Sequence, residues 1–260
     1  MLDATLHQGA SLLSFMPQAQ LRLLAVTSQD DRPRNLEALW QLCAQWQRQG
    51  YPVVVLDGTT LESDRSPGLE HLLRQAPWKE GVSLDLGEIA SSLAVIPAAR
   101  GLHRLGRKAR HVVRPPLADL CEYFRAYAML VLLAPASVLA PLLATTVAQP
   151  LVLTTPDSAG VIDAYRNLKQ LALEAGTVGS VVAVVPDDSA RSRHAAHAAL
   201  QNLRQCTQRH LGVPLRTATL NPDAMLDVQR LALQLLENAG TIDTTVQAPP
   251  AAEVPFARSH

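Results

Sequence analysis

Short apolar runs recur along the chain, and stretches with the i, i+3, i+4 spacing of amphipathic helices separate them. Leu21–Val26 reads as a first strand. Leu36, Leu39, Trp40, Cys43 and Trp46 then follow helical spacing, and Gly50 closes that helix. Val53–Leu56 is a second strand, and Ser66-Pro67 opens a short helix through Leu72 and Leu73. Leu93–Ile96 is a third strand. Leu117–Tyr127 reads as helical and leads into a strand over Met129–Leu133. A helix over Ser137–Ala148, a strand over Leu151–Thr154 and a helix from Asp157 to Glu174 follow. Val181–Val185 is another strand, Ala190–His210 a long helix and Leu215–Ala218 a last short strand. Asn221-Pro222 starts a helix ending near Asn238.

Strands alternating with helices imply βαβ units and a doubly wound, mostly parallel sheet with helices on both faces. The expected organisation is an arm over residues 1–20, one α/β domain over 21–239 and a Thr-, Pro- and Ala-rich tail over 240–260, expected to be disordered. In such sheets ligands bind beyond the carboxyl ends of the strands. That directs attention to the turns at 27–34, 57–66, 134–137, 155–158 and 186–190.

One segment tests the reading of a water-soluble protein. No charged residue lies between Arg125 and Asp157, and long uncharged apolar runs suggest membrane spans. Pro135, Pro141 and Pro150 interrupt this one, and several threonines add polarity. Central parallel strands, covered on both faces, give the same appearance. The segment is therefore read as buried strand, helix and strand.

Composition narrows the classes. Hydrophobic residues make up 48% of the 260 positions, which excludes a fully disordered chain. Basic and acidic residues balance at 23 each, so no global field attracts nucleic acid or membrane. Cys43, Cys121 and Cys206 are odd in number and far apart, which argues against a disulfide framework or cysteine zinc site; each is expected to be a small buried hydrophobe. The N-terminus carries Asp3 and no basic leader region, so a reducing cytoplasmic compartment is expected. No glycine occurs between Gly9 and Gly50.

Several segments, taken in order, resemble the MinD/ParA family of deviant P-loop ATPases, and most closely its flagellar-number-regulator branch, FlhG. They are LLAVTS at 23–28, YPVVVLDG at 51–58, SLAVIPAARG at 92–101 and PLVLTTPDSAGVIDAYRNLKQL at 150–171. The last is the most specific, because family members carry a similar Thr-Thr-Pro-acid turn and an Asp-Ala-Tyr triplet, here Asp163, Ala164 and Tyr165.

The resemblance implies a phosphate loop after the first strand. Family members have glycines there whose N–H groups cradle phosphates, a lysine for the β/γ-phosphates and a threonine for Mg²⁺. This chain reads Gln29-Asp30-Asp31-Arg32-Pro33-Arg34-Asn35-Leu36 in that interval. Asp30 stands at the signature lysine, Asn35 at the phosphate lysine and Leu36 at the magnesium threonine, while Pro33 removes an N–H donor. Two carboxylates facing a triphosphate would repel it by several kcal/mol at short range. Leu133 sits where the family has its Walker B acid. Asp57 keeps the first acid of a family Asp-x-Asp pair, but Thr59 replaces the second, and Pro186 replaces a base-recognising asparagine. The expectation is a catalytically degenerate pseudo-ATPase with ATP and Mg²⁺ binding lost, acting as a protein-binding regulator or scaffold in flagellar biosynthesis or polar positioning. Two alternatives stay open: an active ATPase of the family in which Arg32 or Arg34 replaces the lysine, and a small-molecule enzyme on an unrelated doubly wound sheet.

The flagellar branch has an N-terminal motif that engages a partner GTPase of the FlhF type. Of that motif only Gln8 and Leu12 remain, so partner contact and a loosely packed amphipathic arm are both open. Arg100, Arg104, Arg107, Lys108, Arg110 and Arg114 form a basic cluster, with no acid between Glu88 and Asp119. It reads as a solvated face or as a surface for an acidic partner or anionic lipid. No aromatics interleave it, so specific nucleic-acid binding is not indicated. Another protein is the expected partner, and peripheral membrane attachment the lesser expectation. His194 and His197 share a helical face but lack further metal ligands, and Ser137 lacks a Gly-x-Ser-x-Gly elbow. The apolar stripe Met225, Leu226, Val228, Leu231, Leu235 and Leu236 has a partly acidic polar face, which suits docking on its own sheet better than anionic lipid.

Overall fold

The structure is a computed structural model, and it describes residues 21–27, 33–74, 93–109 and 116–242. Its strands are β1 (Arg22–Thr27), β2 (Val53–Asp57), β3 (Ala94–Pro97), β4 (Met129–Ala134), β5 (Leu151–Thr154), β6 (Ser180–Val184), β7 (Arg216–Leu220) and β8 (Gly240–Thr241). The helices are α1 (Pro33–Arg48), α2 (Leu69–Arg74), α3 (Ala99–Ala109), α4 (Leu120–Tyr123), α5 (Ala136–Leu143), α6 (Ser158–Ala175), α7 (Ala190–Leu211) and α8 (Met225–Asn238).

The first seven strands lie in the order β3-β2-β4-β1-β5-β6-β7, all parallel, so the doubly wound sheet expected from the sequence is present. The chain leaves β1 toward β2 on one side and leaves β4 toward β5 on the other. The carboxyl ends of β1 and β4 therefore form the switch point where such sheets hold ligands. Strand pleating divides the apolar runs between two cores. Leu130, Leu132 and Ala134 of β4 pack beneath α3, α5 and α6. Met129, Val131 and Leu133 alternate with them and pack beneath α1 and α8. Trp46 of α1 is fully buried there and donates its Nε1–H to the carbonyl oxygen of Ala232 at 2.8 Å, tying α1 to α8.

The charge-free segment is β4, α5 and β5, with both strands buried throughout. Among the described residues no helix is long and apolar enough to cross a membrane. Several boundaries differ from the sequence reading for local reasons. Residues 117–127 hold only the four-residue helix α4 between turns. The helix opened by Ser66-Pro67 starts later, at Leu69, because Ser63 and Ser66 first close a turn through paired backbone bonds. The helix after Asn221-Pro222 begins at Met225, since the Asn221 side chain accepts from Asp223 N in a preceding turn. Gly240 and Thr241, placed in the tail from sequence, add β8 antiparallel to the start of β1, and Ile242 N–H donates to Leu21 O at 3.1 Å. The arm over 1–20 and the tail from residue 243 lie outside the described residues. Cys43 is buried and Cys121 half-buried, but Cys206 is exposed on α7, a correction to the uniformly buried cysteines expected.

Candidate functional site

The carboxyl ends of β1, β2, β4 and β5 bring most of the singled-out residues to one edge. Gln29, Asp30, Asp31 and Arg32 lie outside the described residues. Helix α1 opens at Pro33, where a proline gives up no intrahelical hydrogen bond. Arg34 is exposed, and its Nη1 donates to the carbonyl oxygen of Pro186 at 3.2 Å. Asn35 is 7% exposed, and its Nδ2 donates to the carbonyl oxygen of Leu153 in β5 at 3.1 Å. The Asn35 side chain thus turns toward the sheet. Leu36 is 42% exposed and offers no oxygen.

Beside this helix end, Val26, Leu133 and Asp57 stand in register across β1, β4 and β2. Leu133 is 7% exposed and belongs to the core under α1 and α8. Asp57 is half-buried and committed locally: Oδ1 accepts from Thr59 N at 2.9 Å and Thr59 Oγ1 at 2.6 Å, and Oδ2 accepts from Thr60 Oγ1 at 2.6 Å. Gly58 holds the turn against β4. Its N–H donates to Leu133 O at 2.7 Å, and a Cβ there would lie 2.6 Å from Ala134 Cβ.

After β5, Asp157 caps α6. Its Oδ1 accepts from Gly160 N at 2.8 Å, and its Oδ2 accepts from the Thr155 hydroxyl. Asp163 and Tyr165 lie further along that helix. Asp163 bridges Arg166 at 3.2 Å, and the Tyr165 ring meets His210 of α7 edge-on at 6.4 Å. Neither joins the group formed by Arg34, Asn35, Asp57, Leu133 and Pro186. After β6, Asp187 is held below the usual carboxylate range by the Ser189 hydroxyl, then by Ser192 and the Ser189 amide, with a smaller contribution from the Arg34 charge.

The basic segment forms helix α3 with Arg100, His103, Arg107 and Lys108 exposed and Arg104 half-buried. Arg110, His111 and Arg114, like Gln8 and Leu12, lie outside the described residues. Sequence reasoning missed Glu62, which is 1% exposed. Its carboxylate accepts from Arg100 N at 2.8 Å, Gly101 N at 2.9 Å and Glu70 N at 3.3 Å, and so caps α3 and the start of α2 with one side chain. Burial alone would raise its carboxyl pKa; these amides together outweigh that and hold it below the ordinary value. An acid ahead of a Ser-Pro-Gly turn, with the later helix Ala99–Ala109 starting without an acid of its own, was the available signal. His194 and His197 are exposed on α7. Among the described residues no three His, Cys, Asp or Glu side chains gather closely enough to hold a metal ion.

No protein-family model matches the sequence, and no curated protein matches it. Solved structures do. The MinD cell division protein of Aquifex aeolicus superposes with a TM-score of 0.55 at 12% identity, over 86% of this chain and 100% of that one. A complex of a Cyanothece McdA variant with ATP gives 0.52 at 16% identity, over 84% of this chain and 87% of that one. Cobyrinic acid a,c-diamide synthase of Mycobacterium smegmatis, with bound ADP and magnesium, gives 0.50 at 16% identity, over 85% and 98%. At these identities the likeness is one of fold. The chain has the α/β fold of MinD and of the P-loop ATPases built like it.

Proposed function

We propose that this chain is a pseudo-ATPase on the MinD/ParA fold: it keeps the sheet, has lost ATP and Mg²⁺ binding, and works as a protein-binding regulator. The observation that carries the reading is the Asn35 side chain, buried and hydrogen-bonded to Leu153 O near the end of β5 rather than extended into solvent. A phosphate-binding lysine at the start of α1 would reach outward instead. Three further features support it. Leu133, in register with Asp57, is a buried hydrocarbon where the resemblance calls for a magnesium acid. Leu36 supplies no hydroxyl, and magnesium requires oxygen ligands. Arg34, which an active ATPase with an atypical loop would use for phosphate, is engaged on Pro186 O. The described residues at this edge do not fit ATP·Mg.

The flagellar assignment rests on the resemblance of segments 23–28, 51–58, 92–101 and 150–171 taken together, and a GTPase of the FlhF type as the partner rests on Gln8 and Leu12 of the N-terminal motif. Calorimetric titration with ATP·Mg tests the first part. The expected result is no binding at millimolar nucleotide; micromolar binding that is lost in Asn35→Ala would overturn it. Gel filtration with a purified GTPase of the FlhF type tests the second: co-elution supports it, and independent elution removes the flagellar partner.

A further inference from the structure

At the opposite, amino edge of the sheet, the pairing of β1 leaves a notch. β5 begins at Leu151, level with Val26, and pairs only with Val26 and Thr27. β8 takes the same side of β1 at Arg22 and Leu23. Between them, Leu24 and Ala25 have no strand partner on that side among the described residues. A cavity of about 370 Å³ opens there, with Leu24, Leu151, Val182 and Ala218 on the strand side and Leu231 and Leu235 of α8 opposite. Its size lies within the range of small-molecule sites. The edge strand β7 leaves Thr217 and Ala218 half-buried, whereas Leu24, Leu151 and Val182 deeper in are at most 3% exposed, so the cavity is entered along β7.

The remaining lining is polar and cationic. Arg204 and Arg216 line the cavity with neutral amides from Gln149, Gln234 and Asn238, and no acidic side chain does. Arg216 opens β7 and is exposed. Its Nη1 reaches Gln149 Oε1 at 3.5 Å and Asn238 Oδ1 at 3.4 Å, both at the long limit of a hydrogen bond. It forms no ion pair among the described residues. A guanidinium has five donors in a fork that matches a carboxylate, so Arg216 is oriented but not consumed.

We propose that this cavity binds a free aliphatic monocarboxylate, with the acyl chain between β5–β7 and α8 and the carboxylate on Arg216. The charge of the lining selects an anion, and the apolar walls select a chain over a compact ion. An eight-carbon acid suits the space: its ten heavy atoms, each taking about the 30 Å³ share of one water, fill most of the volume. The site shares no residue with the carboxyl edge, so its failure would leave the nucleotide reading untouched.

The test is calorimetric titration of the full chain with octanoate and, in parallel, with 1-octanol, together with sedimentation on phosphatidylglycerol vesicles. Octanoate is expected to bind one site with a submillimolar Kd, and the vesicles are expected to leave the protein in solution. Arg216→Gln should weaken octanoate at least tenfold and leave 1-octanol unchanged. Ala218→Phe, which fills the cavity from a half-buried position, should weaken both ligands. If Ala218→Phe does not fold, Arg216→Gln decides alone, since it alters an exposed side chain. No octanoate binding at 10 mM, or equal binding by Arg216→Gln, overturns the proposal. Sedimentation with vesicles without octanoate binding also overturns it, because the acyl source would then be a bilayer.

Discussion

The Asn35 side-chain amide and the Leu153 carbonyl, 118 residues apart, are joined by a buried hydrogen bond of 3.1 Å. The bond couples the first turn of α1 to the end of β5. It commits the start of that helix to the protein interior.

The same bond sets the outcome of an attempted repair. Asn35→Lys alone is expected to leave ATP·Mg undetectable by calorimetry, because the Leu133 side chain still supplies no oxygen. It should also lower stability by about 1–3 kcal/mol, the scale of a buried polar group that loses its partner. Urea unfolding followed by circular dichroism measures that loss.

Glu62 makes stability depend on acid. Its folded carboxyl lies below its ordinary value, so its contribution is complete above that value and disappears as pH falls through the folded one. Unfolding midpoints measured from pH 6 to pH 3 should therefore fall less in Glu62→Gln than in the parent protein. At pH 7 the variant should be less stable by about 1–3 kcal/mol, since three amides lose a charged acceptor.

Gly58→Ala should destabilise by about 1–3 kcal/mol, as overpacking does. The added carbon would lie 2.6 Å from Ala134 Cβ and 2.9 Å from Leu133 O, both on β4. A thermal melt compared with that of Gly50→Ala separates the two kinds of strain. Gly50 has nothing within 4 Å of the added carbon, and its cost comes from a φ of +84° alone.

Trp46→Phe keeps most of the buried ring but deletes the donor to Ala232 O. A loss of about 1 kcal/mol is expected, against about 3–5 kcal/mol for Trp46→Ala. Chemical denaturation of both variants checks the ratio.

Thiol chemistry should divide the cysteines. Burial pushes the Cys43 thiol up to about 12, whereas Cys206 is exposed. At pH 8 a disulfide reagent should modify Cys206 in the native protein and Cys43 only after denaturant is added, as mass spectrometry of the labelled peptides would show.

The parallel sheet was legible because each strand is a dense apolar run. The division of β4 between two cores was not legible, because Met129 to Ala134 is apolar throughout. Element starts were less legible. At Leu69 and Met225 they depend on side chain–backbone turns, whose partners are named by geometry rather than by spacing. At the candidate site, the placement of Asn35 in the first turn of a helix and of Leu133 near the end of a strand could be read by position. What Asn35 and Arg34 bond to could not, because Leu153 and Pro186 accept through main-chain oxygens and leave no mark in the sequence. Glu62 escaped for the converse reason: its partners are amide groups that every residue has. β8 escaped because two residues carry no period.

The neighbours of β1 have a consequence for the order in which the protein assembles. Among the described residues, every strand that pairs with β1 comes from residue 129 or later, and the last, β8, from residues 240 and 241. On the ribosome, β1 therefore emerges well before β4, the earliest of these partners. The β2–β3 pair can close much earlier. Synthesis thus leaves the central strand of the sheet exposed longest, and the nascent chain is most vulnerable to mispairing at Arg22–Thr27.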